Sequence, residues 1–267
     1  MKCPICDCQS LTHLMNLVQC ADCSLVFDPV NKELDYKTNN TSTIEYYQLA
    51  SETDKKNFND TLEQLERYTR PETILDIGCN IGVFLEAAKE RGWAGMGVEP
   101  NPFSVKYGRS KNLDIVEGYF NERLSDTFKE KFTAIHLGDV IEHVRNPLAL
   151  INLSKKSLTK GGYLIIITPD FDSYFGRKYQ IKPGEHLIYL NRQSIRRALE
   201  KSGFEVVLIA SQFRRRNLRS MTHSTTKIGP VGKLVVKLAN VSTTNKLFEF
   251  LTGFFYDELL IIARKNY

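Results

Sequence analysis

"ILDIGCNIGVFLEAAKERG", residues 74–92, decides the fold. Positions 74–77 form a short apolar run of strand length, and a loop carrying Gly78 and Gly82 follows. "VFLEAAKERG" then puts Val83, Phe84, Ala87 and Ala88 on one helical face, with Gly92 placed to stop the helix. Strand, tight loop and helix open an α/β sheet, and such sheets bind ligands at the carboxyl ends of their strands. A dinucleotide loop counted from Gly78 needs glycine at positions 80 and 83, where this chain has Asn80 and Val83. What it offers is Asp76-x-Gly78-x-Asn80-x-Gly82. An acid two residues before the first glycine repels a pyrophosphate and suits a cationic ligand. Asparagine tolerates left-handed backbone, so the loop keeps its shape despite the missing glycine.

Outward from this loop the pattern repeats. "GMGVEP", "DIVEGY", "FTAIHLGD", "YLIIITP", "FEVVLIA" and "DELLIIARK" read as further strands. "PFSVKYGRSKN", the stretch from Asn146-Pro147 to about Leu158, and "NRQSIRRALEKSG" read as helices. Asparagine caps the second of these and proline tolerates its first position. Gly161-Gly162 is expected to turn the chain into "YLIIITP". The alternation predicts an α/β, doubly wound, seven-stranded and mostly parallel sheet covered on both faces. A zone at 31–70 starts polar and becomes helical, a linker or lid before the 71–267 domain.

The residues carry a resemblance. "LDIGCNIG" is similar to the first motif of class I S-adenosylmethionine-dependent methyltransferases, with Asn80 in place of the middle glycine. "VEPN", "DVIEHVRNP", "LTKGGYLIIITP" and "EHLIYLNRQSIRRALEKSGFEVV" resemble the later motifs of the subgroup with ubiquinone-biosynthesis O-methyltransferases and sugar methyltransferases. The resemblance implies S-adenosylmethionine as cofactor. Asp76, Gly78, Asn80 and Gly82 would meet its methionyl and ribosyl parts, and Glu99 its ribose hydroxyls. Gly118 and Tyr119 would lie by adenine, Gly138 and Asp139 by the methionyl group, and Tyr46 and Tyr47 would cover it.

Methyl transfer from a sulfonium mainly requires that the acceptor be positioned. A hydroxyl acceptor also benefits from a base, for which histidine is suited near neutral pH. His143 follows the fourth strand and His186 the fifth, so both reach the ligand edge. Glu142 could orient a histidine or bind a metal. His136 sits mid-strand and reads as core, and His223 has no context.

Five of the six cysteines lie in the first 23 residues. Cys3-x-x-Cys6 and Cys20-x-x-Cys23 supply four thiolates for a closed, tetrahedral structural Zn2+. The segment resembles a zinc ribbon over residues 1–30, with Cys8 a competing thiol and Cys79 separate in the cofactor loop.

The net charge is +5, yet between positions 206 and 248 there are eight Lys and Arg and no acid. This block lies in an insert at 211–255, before the last strand, where two helices are expected. It suits an anionic small-molecule acceptor, a membrane surface or, less well, nucleic acid. An internal lid or a dimer contact fits the insert equally. No export signal and no run of about 20 apolar residues is visible, so a cytoplasmic protein, peripheral to the membrane at most, is expected. The function expected is O-methylation of a sugar, a nucleotide- or lipid-linked saccharide or another secondary metabolite. The alternatives are an RNA base methyltransferase and a cofactor-binding scaffold without turnover.

Overall fold

The computed structural model describes residues 1–30, 33–38, 41–216 and 256–266. The expected insert helices and His223, and with them most of the segment expected to meet a membrane surface, fall outside these residues.

The N-terminal segment forms β1 (Leu11–Leu14), β2 (Leu17–Cys20) and β3 (Val26–Phe27). A one-turn 3-10 helix, Tyr36–Thr38, and the long α1 (Thr41–Glu66) lead into β4 (Thr73–Ile77), α2 (Val83–Glu90), β5 (Ala94–Glu99), α3 (Pro102–Ser110) and β6 (Ile115–Glu117). Then come α4 (Glu122–Thr127), β7 (Phe132–Gly138), a 3-10 turn Ile141–His143, α5 (Pro147–Ser157) and β8 (Leu158–Pro169). The chain continues through α6 (Tyr174–Tyr179), β9 (Ile188–Tyr189), α7 (Arg192–Lys201) and β10 (Phe204–Phe213), and β11 (Tyr256–Lys265) follows the insert.

Seven strands make one sheet in the order β10-β11-β8-β7-β4-β5-β6. Strands β4 to β8 run parallel, and β11 is antiparallel to both neighbours. Period-two alternation assigns the faces. Ile74, Ala134, Ile165 and Leu260 pack under Leu62 and Leu65 of α1 and Phe84, Ala87 and Ala88 of α2. Their sequence neighbours Leu75, Ile135, Leu164 and Leu259 point the other way, onto Ile151 of α5 and Ile195 and Leu199 of α7. This is the doubly wound class I methyltransferase architecture. Asn146 caps α5 by accepting from the Ala149 amide, and Asn191 forms a capping box with Ser194 at α7.

Gly161-Gly162 does not precede the strand as expected. β8 begins at Leu158, directly after α5, and its register with β7 jumps between Phe132↔Leu158 and Ala134↔Tyr163. Gly161, at φ +71°, supplies the left-handed residue of that irregularity.

A second sheet has the order β1-β2-β3-β9. No periodicity in the sequence marks β9, which is two residues long. Its pairing, Val26↔Tyr189 and Phe27↔Ile188, extends the ribbon sheet with two residues from the part of the chain that carries the larger sheet. Lys201 Nζ on α7 donates to Ile5 O and Asp7 Oδ2, and Gln193 Nε2 donates to Asp22 O. Cys3, Ile5, Val18 and Leu25 share one core with Leu164, Ile195 and Leu199. Among the described residues, no helix is long and apolar enough to cross a membrane.

Candidate active site

The parallel strands end at one edge, where they bound a cavity of about 550 Å3. Its first wall is the loop after β4. Gly78 has φ +77°, and a Cβ there would lie 2.6 Å from Val140 Cγ2. Asn80 adopts φ +51°, the left-handed geometry expected of it. Its amide donates to Glu99 Oε2 at 2.9 Å, while the Asn101 amide donates to Oε1 at 2.8 Å. Ser104 Oγ donates to Asn80 Oδ1 at 3.2 Å. The Glu99 carboxylate at the tip of β5 is thus fixed by two amides and faces the cavity. Burial pushes its pKa up, and the two amides pull against that shift.

Gly118, Tyr119, Tyr46, Tyr47 and Asp139 also line the cavity. Tyr46 and Tyr47 meet edge to face at 5.2 Å. The Tyr119 hydroxyl donates to Asp35 Oδ1 at 2.8 Å and accepts from the Tyr36 amide at 2.9 Å. Asp139, at φ +53°, accepts from Arg214 Nη1 at 2.7 Å, and the same guanidinium nitrogen donates to Glu258 Oε1 at 2.6 Å. Burial works against the Asp139 charge, but Arg214 wins and holds its pKa below the usual value.

Three residues expected at the cofactor do not line the cavity. Asp76 is buried behind the loop, where His136 Nδ1 donates to its Oδ1 at 2.7 Å. Gly138 is glycine for the same pair: a Cβ there would sit 2.6 Å from His136 Cε1. Gly82, at φ +87°, starts α2, and its Cβ would strike Leu113 Cδ1 at 2.3 Å. These residues shape the cavity from behind. His136 is core, as read, stacked on Phe84 at 3.8 Å with Nε2 buried and unpartnered.

The opposite wall gathers Glu142, His143 and His186. Glu142 and His143 lie in the 3-10 turn after β7, and His186 lies just before β9. The Leu187 amide donates to Glu142 O at 2.8 Å, which stitches the two segments together. The imidazole rings meet edge to face at 5.0 Å. His143 Nδ1 is 2.9 Å from Glu185 O, and His186 Nδ1 is 3.0 Å from Gln180 O. Carbonyls only accept, so Nδ1 carries the proton in both rings and Nε2 keeps its lone pair. The Tyr36 hydroxyl lies 2.9 Å from His143 Nδ1. Burial lowers both histidine pKa values, that of His186 to about 4, and raises that of Glu142 well above the carboxylate range. Sequence reasoning missed Tyr36, because no motif spacing connects it with His143, 107 residues away.

In the ribbon, Cys3 Sγ lies 3.4 Å from Cys23 Sγ and Cys6 Sγ 3.4 Å from Cys20 Sγ, and all four sulfurs fall within 4.8 Å of one another. The two knuckles share one backbone form. Asp7 N donates to Cys3 O as Ser24 N does to Cys20 O, and both Asp7 and Ser24 have positive φ. Cys8 is outside the cluster, with its thiol on Ser10 O.

A family model described as a methyltransferase domain matches residues 49–209, more than half of the chain. The ubiquinone biosynthesis O-methyltransferase of Alkalilimnicola ehrlichii is 27% identical over 100 residues. That stretch is 36% of this chain and only 40% of that relative's length. Among solved structures, a SAM-dependent methyltransferase from Archaeoglobus fulgidus superposes with a TM-score of 0.57 at 21% identity, covering 82% of this chain and 99% of that one. Phosphoethanolamine N-methyltransferase 2 of Haemonchus contortus, solved with S-adenosyl-L-methionine, gives 0.57 at 18% identity over 86% of this chain and 59% of that one. The cavity has features that such a cofactor would need: the held carboxylate of Glu99, which suits a ribose diol, and a loop that Gly78 keeps free of a side chain. With motif, sheet order and family match in agreement, the chain belongs to the methyltransferase-domain family.

Proposed function

We propose that the protein methylates a hydroxyl of a small molecule: a sugar, a nucleotide- or lipid-linked saccharide, or another secondary metabolite. The observation that carries this reading is the shared cavity, with Glu99 on one wall and Glu142, His143 and His186 on another. S-adenosylmethionine, when bound, supplies an electrophilic methyl group on a sulfonium. Glu99 holds the ribose hydroxyls, and Tyr46 and Tyr47 close over the cofactor. His143 and His186, kept neutral by burial, each offer an Nε2 lone pair to an acceptor proton. The four ribbon cysteines hold a structural Zn2+ that leaves no position open for chemistry. Arg214 and Arg215 are engaged by Asp139, Glu258 and Asp60, which supports a small acceptor over an RNA backbone.

The test is transfer of isotope-labelled methyl from S-adenosylmethionine to panels of nucleotide sugars, polyphenols and structured RNAs. Label on a hydroxyl of a small molecule upholds the proposal. Label on RNA alone, with binding that falls steeply as salt rises, overturns it.

A further inference from the structure

We propose that Tyr36 is a positioning residue for His143: its hydroxyl sets the imidazole, and its backbone makes that setting depend on the wall that carries Glu99. The inference rests on the acceptor role given to His143 above and says what controls it.

Residues 33–38 reach across the cavity between its two walls, and Glu33, Leu34 and Tyr36 line it. On the acceptor side, Glu33 Oε1 accepts from the amide of Arg145, two residues after His143, at 2.8 Å. On the other side, Asn101 Nδ2 donates to Tyr36 O at 3.2 Å, and the Tyr36 amide donates to the Tyr119 hydroxyl. Asn101 is itself fixed, because its own amide donates to Glu99 Oε1. Both backbone polar groups of Tyr36 are thus held on the Glu99 wall, while its side chain reaches His143.

At His143, the Tyr36 oxygen and Glu185 O each lie 2.9 Å from the same Nδ1. Glu185 O can only accept, so Nδ1 carries a hydrogen and the Tyr36 oxygen also meets it as an acceptor. One N–H shared by two acceptors on separate segments restrains the ring more than either acceptor alone. The two rings also pack edge to face at 5.7 Å, which opposes the same rotation. This grip aims the Nε2 lone pair. Glu185 O by itself fixes the tautomer, so the Tyr36 hydroxyl contributes direction. Burial, with Glu185 and Glu142 nearby, pushes the Tyr36 pKa up, so the phenol stays neutral.

The contacts run unbroken from Glu99 through Asn101 and Tyr36 to His143. A cofactor that engages Glu99 restrains one end of this series, and Tyr36 carries the restraint to the other. Physical coupling then means a change at His143 that depends on the cofactor and passes through Tyr36.

The test uses full-length protein, isotope-labelled at its histidine nitrogens and followed by NMR, with His143→Gln to assign the His143 signals. Adding S-adenosylhomocysteine should shift and sharpen those signals in the wild type. Tyr36→Phe, which removes one oxygen and keeps the ring, should still bind S-adenosylhomocysteine by calorimetry and keep the Nδ1–H tautomer, yet lose most of the response. Tyr119→Phe, which frees the Tyr36 amide, should reduce the response in the same direction. A Tyr36→Phe protein that melts earlier but responds as the wild type does would reduce Tyr36 to a structural residue and overturn the proposal. Wild-type His143 signals that ignore bound S-adenosylhomocysteine would overturn it as well. With calorimetric binding intact, either result leaves the methyltransferase reading standing, whereas failure of the wild type to bind S-adenosylhomocysteine overturns both.

Discussion

His136 Nδ1 donates to Asp76 Oδ1 at 2.7 Å, and the two residues are register partners on adjacent parallel strands, β7 and β4. Both side chains are buried, and neither lines the cavity. The acid that opens the first methyltransferase motif is therefore a cross-strand tie. Asp76→Ala should cost about 3 kcal/mol by leaving a buried imidazole unpaired. Asp76→Asn, which still accepts, should cost less. Denaturant unfolding measures both, and S-adenosylhomocysteine affinity, corrected for folded fraction, should change less than it does for Glu99→Ala.

Glu99 is the acid that faces the cavity. Removing a charged acceptor from a diol is worth about 1.5–3 kcal/mol, so Glu99→Ala should weaken S-adenosylhomocysteine about 10- to 100-fold by calorimetric titration. An unchanged affinity would remove Glu99 from the cofactor site.

Asn80 holds a left-handed position that glycine accepts freely. Asn80→Gly should keep cofactor affinity and change stability by no more than about 1 kcal/mol. Asn80→Val puts a β-branched residue at φ +51° and should cost about 1–2 kcal/mol in thermal or denaturant melts.

Glu66 at the end of α1 accepts from Arg91 Nε at 2.8 Å and from Trp93 Nε1 at 3.1 Å. Its hydrogen bond from Arg91 holds its pKa below the usual value. A depressed folded pKa contributes stability above the unfolded value and loses it as pH falls through the folded one. Glu66→Gln should therefore destabilise by about 1 kcal/mol at neutral pH, since the pair is partly solvated. The gap to wild type should close in unfolding curves taken at successively lower pH, below about 4.

The ribbon should carry one tightly held zinc per four-cysteine cluster, measurable by elemental analysis. Cys23→Ala should release it and lower stability by several kcal/mol, because metal binding is folding energy in so small a unit. The loss should reach the catalytic part, since Cys23 and Ile195 share a core.

Much of this was legible in the chain. Seven apolar runs marked the seven sheet strands, and "NP" and "NRQS" marked two helix starts, because strand alternation and capping are local properties. The pairing of Asp76 with His136 was not legible, since it depends on sheet register between residues 60 positions apart. Motif spacing placed both acids at the ligand edge, and only side-chain direction separates Asp76, which points behind the loop, from Glu99, which points into the cavity. The β9 strand escaped because two residues carry no periodicity. The Tyr36–His143 contact escaped because a polar segment gives no pattern to read.

Pairing of β3 with β9 leaves no clean seam between the ribbon and the rest of the chain. A gene shortened to begin at residue 31 would remove more than an accessory. It would strip Ile188 and Tyr189 of their sheet partner and take away the side chains that cover Ile195 and Leu199. It would also cut the Asp28 amide bond to Leu187 O, one residue from His186. The first thirty residues are best understood as the support on which the segment carrying His186 rests.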